Sequence, residues 1–265
     1  MRPSSLTFRL NAALTYQLIK REILGRYRGS LFGLLWSFIN PLLMLTVYTF
    51  VFSRIFKTKW GKEDGDTIQF ALMLFTGLIV FNLFSECISR APQLIVNNLN
   101  YVKKVVFPLE ILSLVAVGSS LFHAAVSFLV LFFFLVLSGH SLHATLLFAP
   151  LIIAPLLPLI LGLSWFLSSL GVFIRDIGQV IGLLTSVLMF LSPIFYPASV
   201  LPESIQKFLF LNPLTFIIEQ TRSVILLGNM PDWAGLTLYF IPSLFISWAG
   251  FLWFQKTRKG FADVL

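Results

Sequence analysis

The residues that could do covalent or metal chemistry in this sequence are few, and their spacing does not serve it. No GxxxxGK[ST] loop occurs, so the chain has no phosphate cradle of its own for ATP. GxSxG, HExxH and CxxC are absent as well. Cys87 is the only cysteine, which rules out an internal disulfide, and it falls in an apolar segment where it reads as packing. His123, His140 and His143 have neither the spacing nor the neighbours of a metal site. No catalytic, cofactor-binding or metal-ligating residue is assigned.

Four acids lie inside or beside long apolar segments: Glu86, Glu110, Asp176 and Glu219. A carboxylate at membrane depth is costly and is a functional candidate for that reason. All four fall near predicted helix ends, where a hydrated or paired role is commoner. Glu219 and Arg222 are three apart and could pair on one helix face. A proton-coupled carrier needs ionisable groups at mid-membrane, and none stands there convincingly. Aromatics are plentiful, with 29 Phe, 6 Trp and 6 Tyr. Lipid-facing packing and interface anchoring account for most of them. Some could instead stack on sugar C–H faces along a path for a glycan. Trp36, Phe38, Tyr48 and Phe52 in one segment and Phe190, Phe195 and Tyr196 in another are the candidates, though composition alone does not select that reading.

The elements that would position these residues are membrane helices. The chain is 57% hydrophobic and 11% charged, with a mean hydropathy of +0.90. A soluble domain is about half apolar and about a quarter charged. Several apolar runs exceed the roughly 18 residues that mark a spanning helix. The net charge of +8 would suggest nucleic acid in a soluble protein. Basic flanks of membrane helices explain it better, and no RNA-binding or helix-turn-helix pattern competes.

The fold class expected is an all-α membrane protein. Residues 1–30 form a cytoplasmic interface helix, and 31–265 form a single six-helix transmembrane domain. In the N-terminal helix Ala12, Tyr16, Ile19, Ile23 and Tyr27 make an apolar stripe beside a polar one of Asn11, Thr15, Glu22 and Arg26. The first long apolar run begins near Leu31, too late and too long for a cleaved signal peptide. Six spans are predicted at about 31–53, 67–89, 109–137, 144–174, 177–200 and 234–254. Pro150, Pro155 and Pro158 interrupt the fourth, and Pro193 and Pro197 the fifth. Residues 202–228 read as a re-entrant or periplasmic hairpin of two short helices broken at Asn212-Pro213, each too short to cross. With both ends inside, the outer basic residues are Arg54, Lys57, Lys59, Lys62, Lys207 and Arg222. That leaves 13 of the 19 on the cytoplasmic side.

Four stretches carry a family resemblance. They are Arg26-Tyr27-Arg28-Gly29-Ser30-Leu31-Phe32-Gly33-Leu34-Leu35-Trp36 with Asn40-Pro41-Leu42, then Asn100-Tyr101-Val102-Lys103-Lys104-Val105-Val106-Phe107-Pro108, then Ser192-Pro193-Ile194-Phe195-Tyr196-Pro197, and Asn212-Pro213-Leu214-Thr215 through Arg222. In this order they resemble the permease subunit of a type 2 ABC exporter, in the branch that moves lipid-linked polysaccharides such as O antigen, capsule or teichoic acid.

The resemblance implies a homodimer in the bacterial inner (cytoplasmic) membrane, among membrane lipids, that binds no nucleic acid. It implies a separate ATP-binding subunit, which would hold ATP and Mg, so this chain carries no cofactor and is a transporter rather than an enzyme. The loop 92–108 would couple to that subunit through Asn97, Asn98, Asn100, Tyr101, Lys103 and Lys104. Trp36, Tyr48, Phe190, Phe195 and Tyr196 would line the substrate conduit at the dimer seam. Asn212, Pro213, Glu219 and Arg222 would form the outer gate. The rival readings are a type 2 exporter of drugs or lipids, a membrane-embedded polysaccharide enzyme, and an ion-coupled flippase. The enzyme would need a large loop of converging polar residues, and no loop here is large.

Overall fold

The computed structural model describes residues 4–51, 67–103, 107–209 and 211–265, and every regular element among them is helical. Lys104 and the basic loop at 54–62 lie outside the described residues.

The chain opens with α1, Ser4–Arg26. A turn carrying Gly29 at φ 85° and a 3-10 turn at Gly33–Leu35 lead into α2, Trp36–Phe50, which contains Pro41. Helix α3, Thr67–Arg90, runs through the centre of the molecule. It is buried almost without a break from Phe70 to Phe81, as expected for a helix that is apolar all round. After two 3-10 turns comes α4, Leu99–Lys103, and then α5, Ile111–Leu137. Gly139 (φ 70°) stops α5 in a Schellman cap, with the His140 N–H on the Leu135 carbonyl and the Gly139 N–H on that of Val136. The fourth apolar stretch divides where its prolines fall, into α6, Ala149–Ile153, and α7, Leu156–Phe173.

Helix α8 covers Ile177–Leu191 and ends nine residues short of the predicted boundary at 200. Pro193 is the reason: it donates no N–H and holds Ser192 in extended backbone (ψ 146°). Among the described residues five apolar stretches are long enough to cross a membrane, and α8, with 15 residues, is a shorter apolar helix. Over the stretch read as a hairpin the chain forms two short helices, α9, Glu203–Leu209, and α10, Pro213–Ile225. Asn212 caps α10, its side-chain oxygen accepting the Leu214 N–H at 2.9 Å. Helix α11, Trp233–Thr257, is capped by Asp232, and α12, Phe261–Val264, follows.

Helices α7 and α11 lie against each other and run parallel. The backbones of Gly162 and Gly250 meet there, with no room for a Cβ on either. Trp233, at the start of α11, packs edge-on at 5.6 Å against Phe148, just before α6. Phe254 and Phe261, at its other end, share an apolar cluster with Val172 near the end of α7. Leu18 of α1, Ile95, Phe107 and the first turn of α5 complete that cluster. The main core surrounds α3 and takes in α5, α7 and α10.

The buried side of α1 meets the expected stripe only in part, since Ile19, Ile23 and Tyr27 face inward and Ala12 and Tyr16 do not. Leu18 is buried, with Leu14, Ile19 and Ile23 half-buried, whereas Tyr16 is 68% exposed. Ile19 fits against Gly118 of α5, where a Cβ would collide with it. Thr15 and Glu22, the expected polar stripe, are half-buried on this inward side.

Candidate functional site

Three groups of polar residues stand out. The first surrounds the break after α8. The last turn of a helix leaves carbonyls without intrahelical partners, and Pro193 prevents the chain from continuing to satisfy them. Helix α10 supplies the donors. Asn212 Nδ2 donates to Ser192 Oγ at 2.9 Å. Arg222 is 2% exposed, and its guanidinium donates to the Met73 carbonyl at 2.7 Å, the Ile194 carbonyl at 2.8 Å and the Pro193 carbonyl. Its ion pair with Glu219, at 3.2 Å, is the sequence-predicted contact. One planar fork therefore ties α10 to α3 and to the segment after α8. Gly77 makes the space: a Cβ there would lie 2.7 Å from Arg222 Nη2. Asn212, Pro213, Glu219 and Arg222 thus sit together, and Gly77 is a member of the group that sequence reasoning missed.

The second group is the loop after α3. Asn97, Asn100 and Lys103 are exposed. Asn98 turns back, its amide donating to the Leu94 carbonyl at 2.8 Å. Tyr101 stacks on Phe107 at 4.3 Å, and its hydroxyl accepts from Arg21 of α1 at 2.7 Å. Lys103 Nζ donates to the Leu265 carbonyl at 2.6 Å. Arg258 pairs with Glu110 at 2.9 Å and donates to the Phe107 carbonyl at 2.9 Å. The coupling candidates therefore divide into an outward set of Asn97, Asn100 and Lys103, and an inward set, Asn98 and Tyr101, that fastens the loop.

The third group lies along α2, α3, α5 and α8. Glu22 and Arg26 of α1 meet Arg90 and Glu86 of α3 as a crossed pair of salt bridges, Glu22 with Arg90 and Arg26 with Glu86. Glu86 also lies 3.5 Å from Arg90. Beside this ladder the Tyr27 hydroxyl is 2.8 Å from His123 Nε2. His123 Nδ1 faces the Ser119 carbonyl at 2.7 Å, and a carbonyl only accepts. Nδ1 therefore carries the proton, and Tyr27 donates to Nε2. Above the ladder a cavity of about 570 Å³ opens, lined by Asn40 and Tyr48 of α2, Asn82 and Glu86 of α3, His123 of α5 and Met189 of α8.

The conduit candidates do not form one site. Tyr48 lines this cavity. Phe190, 65% exposed, stacks on Phe195 at 6.0 Å, and the Tyr196 hydroxyl donates to the Phe190 carbonyl at 3.1 Å. Trp36 packs edge-on against Phe32 at 5.7 Å. It stands twelve residues from Tyr48, about 18 Å along α2. Asn40 was named only within a family stretch, without a site role, and Asn82 was missed; the signal available was an asparagine inside each of two strongly apolar runs.

The ABC-2 type transporter family matches residues 13–226. An O-antigen export system permease protein RfbA of Myxococcus xanthus is 25% identical over 252 residues, covering 94% of each chain. One of Klebsiella pneumoniae is 25% identical over 266 residues, 98% of this chain and all of the relative. The polysialic acid transport protein KpsM of Escherichia coli is 25% identical over 250 residues, 91% of this chain and 93% of the relative.

Proposed function

The chain belongs to the ABC-2 type transporter family, and from that premise we propose that it forms the membrane channel of an ATP-driven exporter of lipid-linked polysaccharide. The observation that carries this reading is the match, over nearly its whole length, to relatives named as O-antigen and polysialic acid transport proteins. The chain is a multi-pass membrane permease and not itself an enzyme.

The finer reading is six crossings in the inner membrane with both ends cytoplasmic. Since α7 and α11 run parallel, the chain between them must return from one end of the molecule to the other. Helix α8 makes that return, and the α9–α10 hairpin lies at the far end, where Thr145 Oγ1 bonds the Val224 carbonyl at 2.7 Å. The cytoplasmic end is then the one that gathers α1, the 92–103 loop and the end of α11. Two copies would meet through α2 and α8, whose exposed faces carry Leu42, Leu43 and Val47 on one and Leu183, Leu184 and Val187 on the other. An ATP-binding partner would dock on Asn97, Asn100, Lys103 and Lys104. ATP binding and hydrolysis there would shift the dimer between two states. Arg21–Tyr101 and the crossed ladder would carry the shift through α1 to α3. The Arg222 group would hold the outer end of the path.

The test is disruption of the gene. Surface polysaccharide should disappear, a lipid-linked polymer should accumulate on the cytoplasmic face, and the intact gene should restore export. Unchanged surface polymer together with new sensitivity to drugs would favour the exporter of drugs or lipids.

A further inference from the structure

We infer that the cavity between α2, α3 and α5 is a binding site for a neutral, hydroxyl-rich sugar unit, with the amides of Asn40 and Asn82 as its recognition groups. The inference rests on the polysaccharide reading and deepens it, since it places a sugar contact inside one chain. Asn40 lies in the second turn of α2, and Asn82 lies eight residues before the end of α3, about 12 Å along the helix. Both are therefore at membrane depth in the reading above. Both side chains are exposed, and neither has a hydrogen-bond partner among the described residues. A carboxamide left facing hydrocarbon loses its hydrogen bonds to water with nothing in exchange. These two line one cavity and look into it instead.

The chemistry of the lining selects the ligand. Most of the other polar groups around the cavity are already satisfied within the protein. Ser37 donates to the Leu34 carbonyl at 2.7 Å, Ser127 to the His123 carbonyl at 2.9 Å, and Tyr27 to His123. The amides remain together with the hydroxyls of Ser85, Ser120 and Tyr48, for which the described residues supply no hydrogen bond, and each amide offers two donors and an acceptor in one plane. Vicinal sugar hydroxyls, which both donate and accept, match that offer. An anion does not, because the cation at the mouth, Arg26, is held by Glu86. A cation meets the same neutralised pair. An isoprenoid or acyl chain would strip water from both amides and return no hydrogen bond. Tyr48 adds an aromatic wall. The volume, about 570 Å³, falls in the range of roughly 300–1,000 Å³ usual for small-ligand sites.

The experiment uses the full chain with its ATPase subunit in membranes. A single cysteine is placed at Met44, which lines the cavity and is not one of the recognition groups, in a Cys87→Ser background, and its rate of modification by a small polar thiol reagent is measured. Free hexose and the delipidated surface polysaccharide of the host are the probes, and inorganic phosphate at equal ionic strength is the control. The sugars should slow modification severalfold and phosphate should not. Equal protection by phosphate, or none by any sugar, would overturn the inference. Protection that depends only on the second copy of the chain, and not on sugar, would assign the amides to the dimer seam and overturn it too. In a second arm Asn40→Leu and Asn82→Leu together should reduce export per folded transporter about tenfold, the equivalent of about 1.4 kcal/mol. Asn40→Gln with Asn82→Gln should keep most of it, since the amide is retained. Full export by the leucine pair would sink the idea. If the wild-type chain exports no polysaccharide, the function reading fails on its own, and the thiol-protection result is read separately.

Discussion

Replacing Arg222 by Met should destabilise the protein by about 3 kcal/mol and impair export. The guanidinium serves three backbone carbonyls and Glu219. Met73 keeps its place in the α3 ladder, but Pro193 and Ile194 lie outside any helix. Each of those carbonyls, left dry and unpartnered, costs about 1–3 kcal/mol. Against this, Arg222 itself carries a desolvation penalty that Met does not have. Removing one partner of a buried charged cluster costs about 3–5 kcal/mol. The lower end applies here, because the Glu219 side chain is 40% exposed and can turn to water. For a chain of this size that corresponds to a fall in Tm of about 6–12 °C. Cys87, the single cysteine and wholly buried, gives the assay: its reaction with a thiol-activated dye on heating in detergent reports unfolding. Arg222→Lys should fall between the two, since a point donor cannot reach all of the acceptors. Gly77→Ala should cost about 1–3 kcal/mol by pushing Nη2 off the Ile194 carbonyl. In the Arg222→Met background the same change should cost nearly nothing. A fall in Tm of under about 3 °C for Arg222→Met, with export unchanged, would refute the clamp.

Three other outcomes are expected. In a Cys87→Ser background, a cysteine at Lys207 should react with an impermeant thiol reagent in cells whose outer membrane, where there is one, has been permeabilised, and a cysteine at Lys103 should not; the reverse pattern would invert the topology. Charge reversal at Lys103 and Lys104, or deletion of residues 1–25, should weaken ATPase association or coupling while leaving membrane insertion intact, as read by co-purification and by surface polymer per ATP hydrolysed. Replacing Trp36, Tyr48, Phe190 and Tyr196 by Leu should slow export almost as much as replacing them by Ala if they contact sugar, because the π face is lost; full export by the Leu set would leave them as packing.

Where the sequence could be read, local backbone chemistry was the reason. Asn212-Pro213 breaks the hairpin because Asn caps and Pro fits the first turn of a helix. The prolines of the fourth stretch divide α6 from α7. At α8 the apolar run continues through Ile194–Val200, but Pro193 ends the helix at Leu191, nine residues before the predicted boundary. Partners distant in the chain were not legible. The two crossed pairs of the ladder join residues 60 and 68 apart. Glu22 and Arg26 read as a solvated stripe, because nothing local shows that α3 presents the opposite charges. Arg222 could be read only as the i,i+3 partner of Glu219. Three of its other partners are main-chain carbonyls, which carry no mark in a sequence, and Gly77 is explained only by the guanidinium that fills the space of its missing side chain.

The ladder also constrains how force can pass through the molecule. Glu22 and Arg26 are one turn apart on α1, and Arg90 and Glu86 one turn apart on antiparallel α3. Sliding α1 by about 6 Å, one turn, would bring Glu22 onto Glu86 in one direction and Arg26 onto Arg90 in the other. Both slips replace an attraction by a repulsion and leave two charges without their partners on the other helix. Each bridge alone is partly exposed and contributes little, but the alternation of sign penalises every wrong register. The contact therefore acts as a fixed joint, and α1 and α3 move as one body. Leu18 and Arg21 fasten the same helix to the loop at 95–107. A push on that loop then reaches α3 without loss of register, and Asn82 stands one turn beyond Glu86 on the same helix. Three of the four carboxylates near the membrane edges are tied up in this scheme, and Asp176 stands exposed beside α8. Glu86, Glu110 and Glu219 are each held by an arginine, so releasing one to bind a proton or cation would break the structure that transmits the motion. Under the proposed function the work of export would enter from outside the helices, at the loop, and the cargo would be recognised by groups that carry no charge.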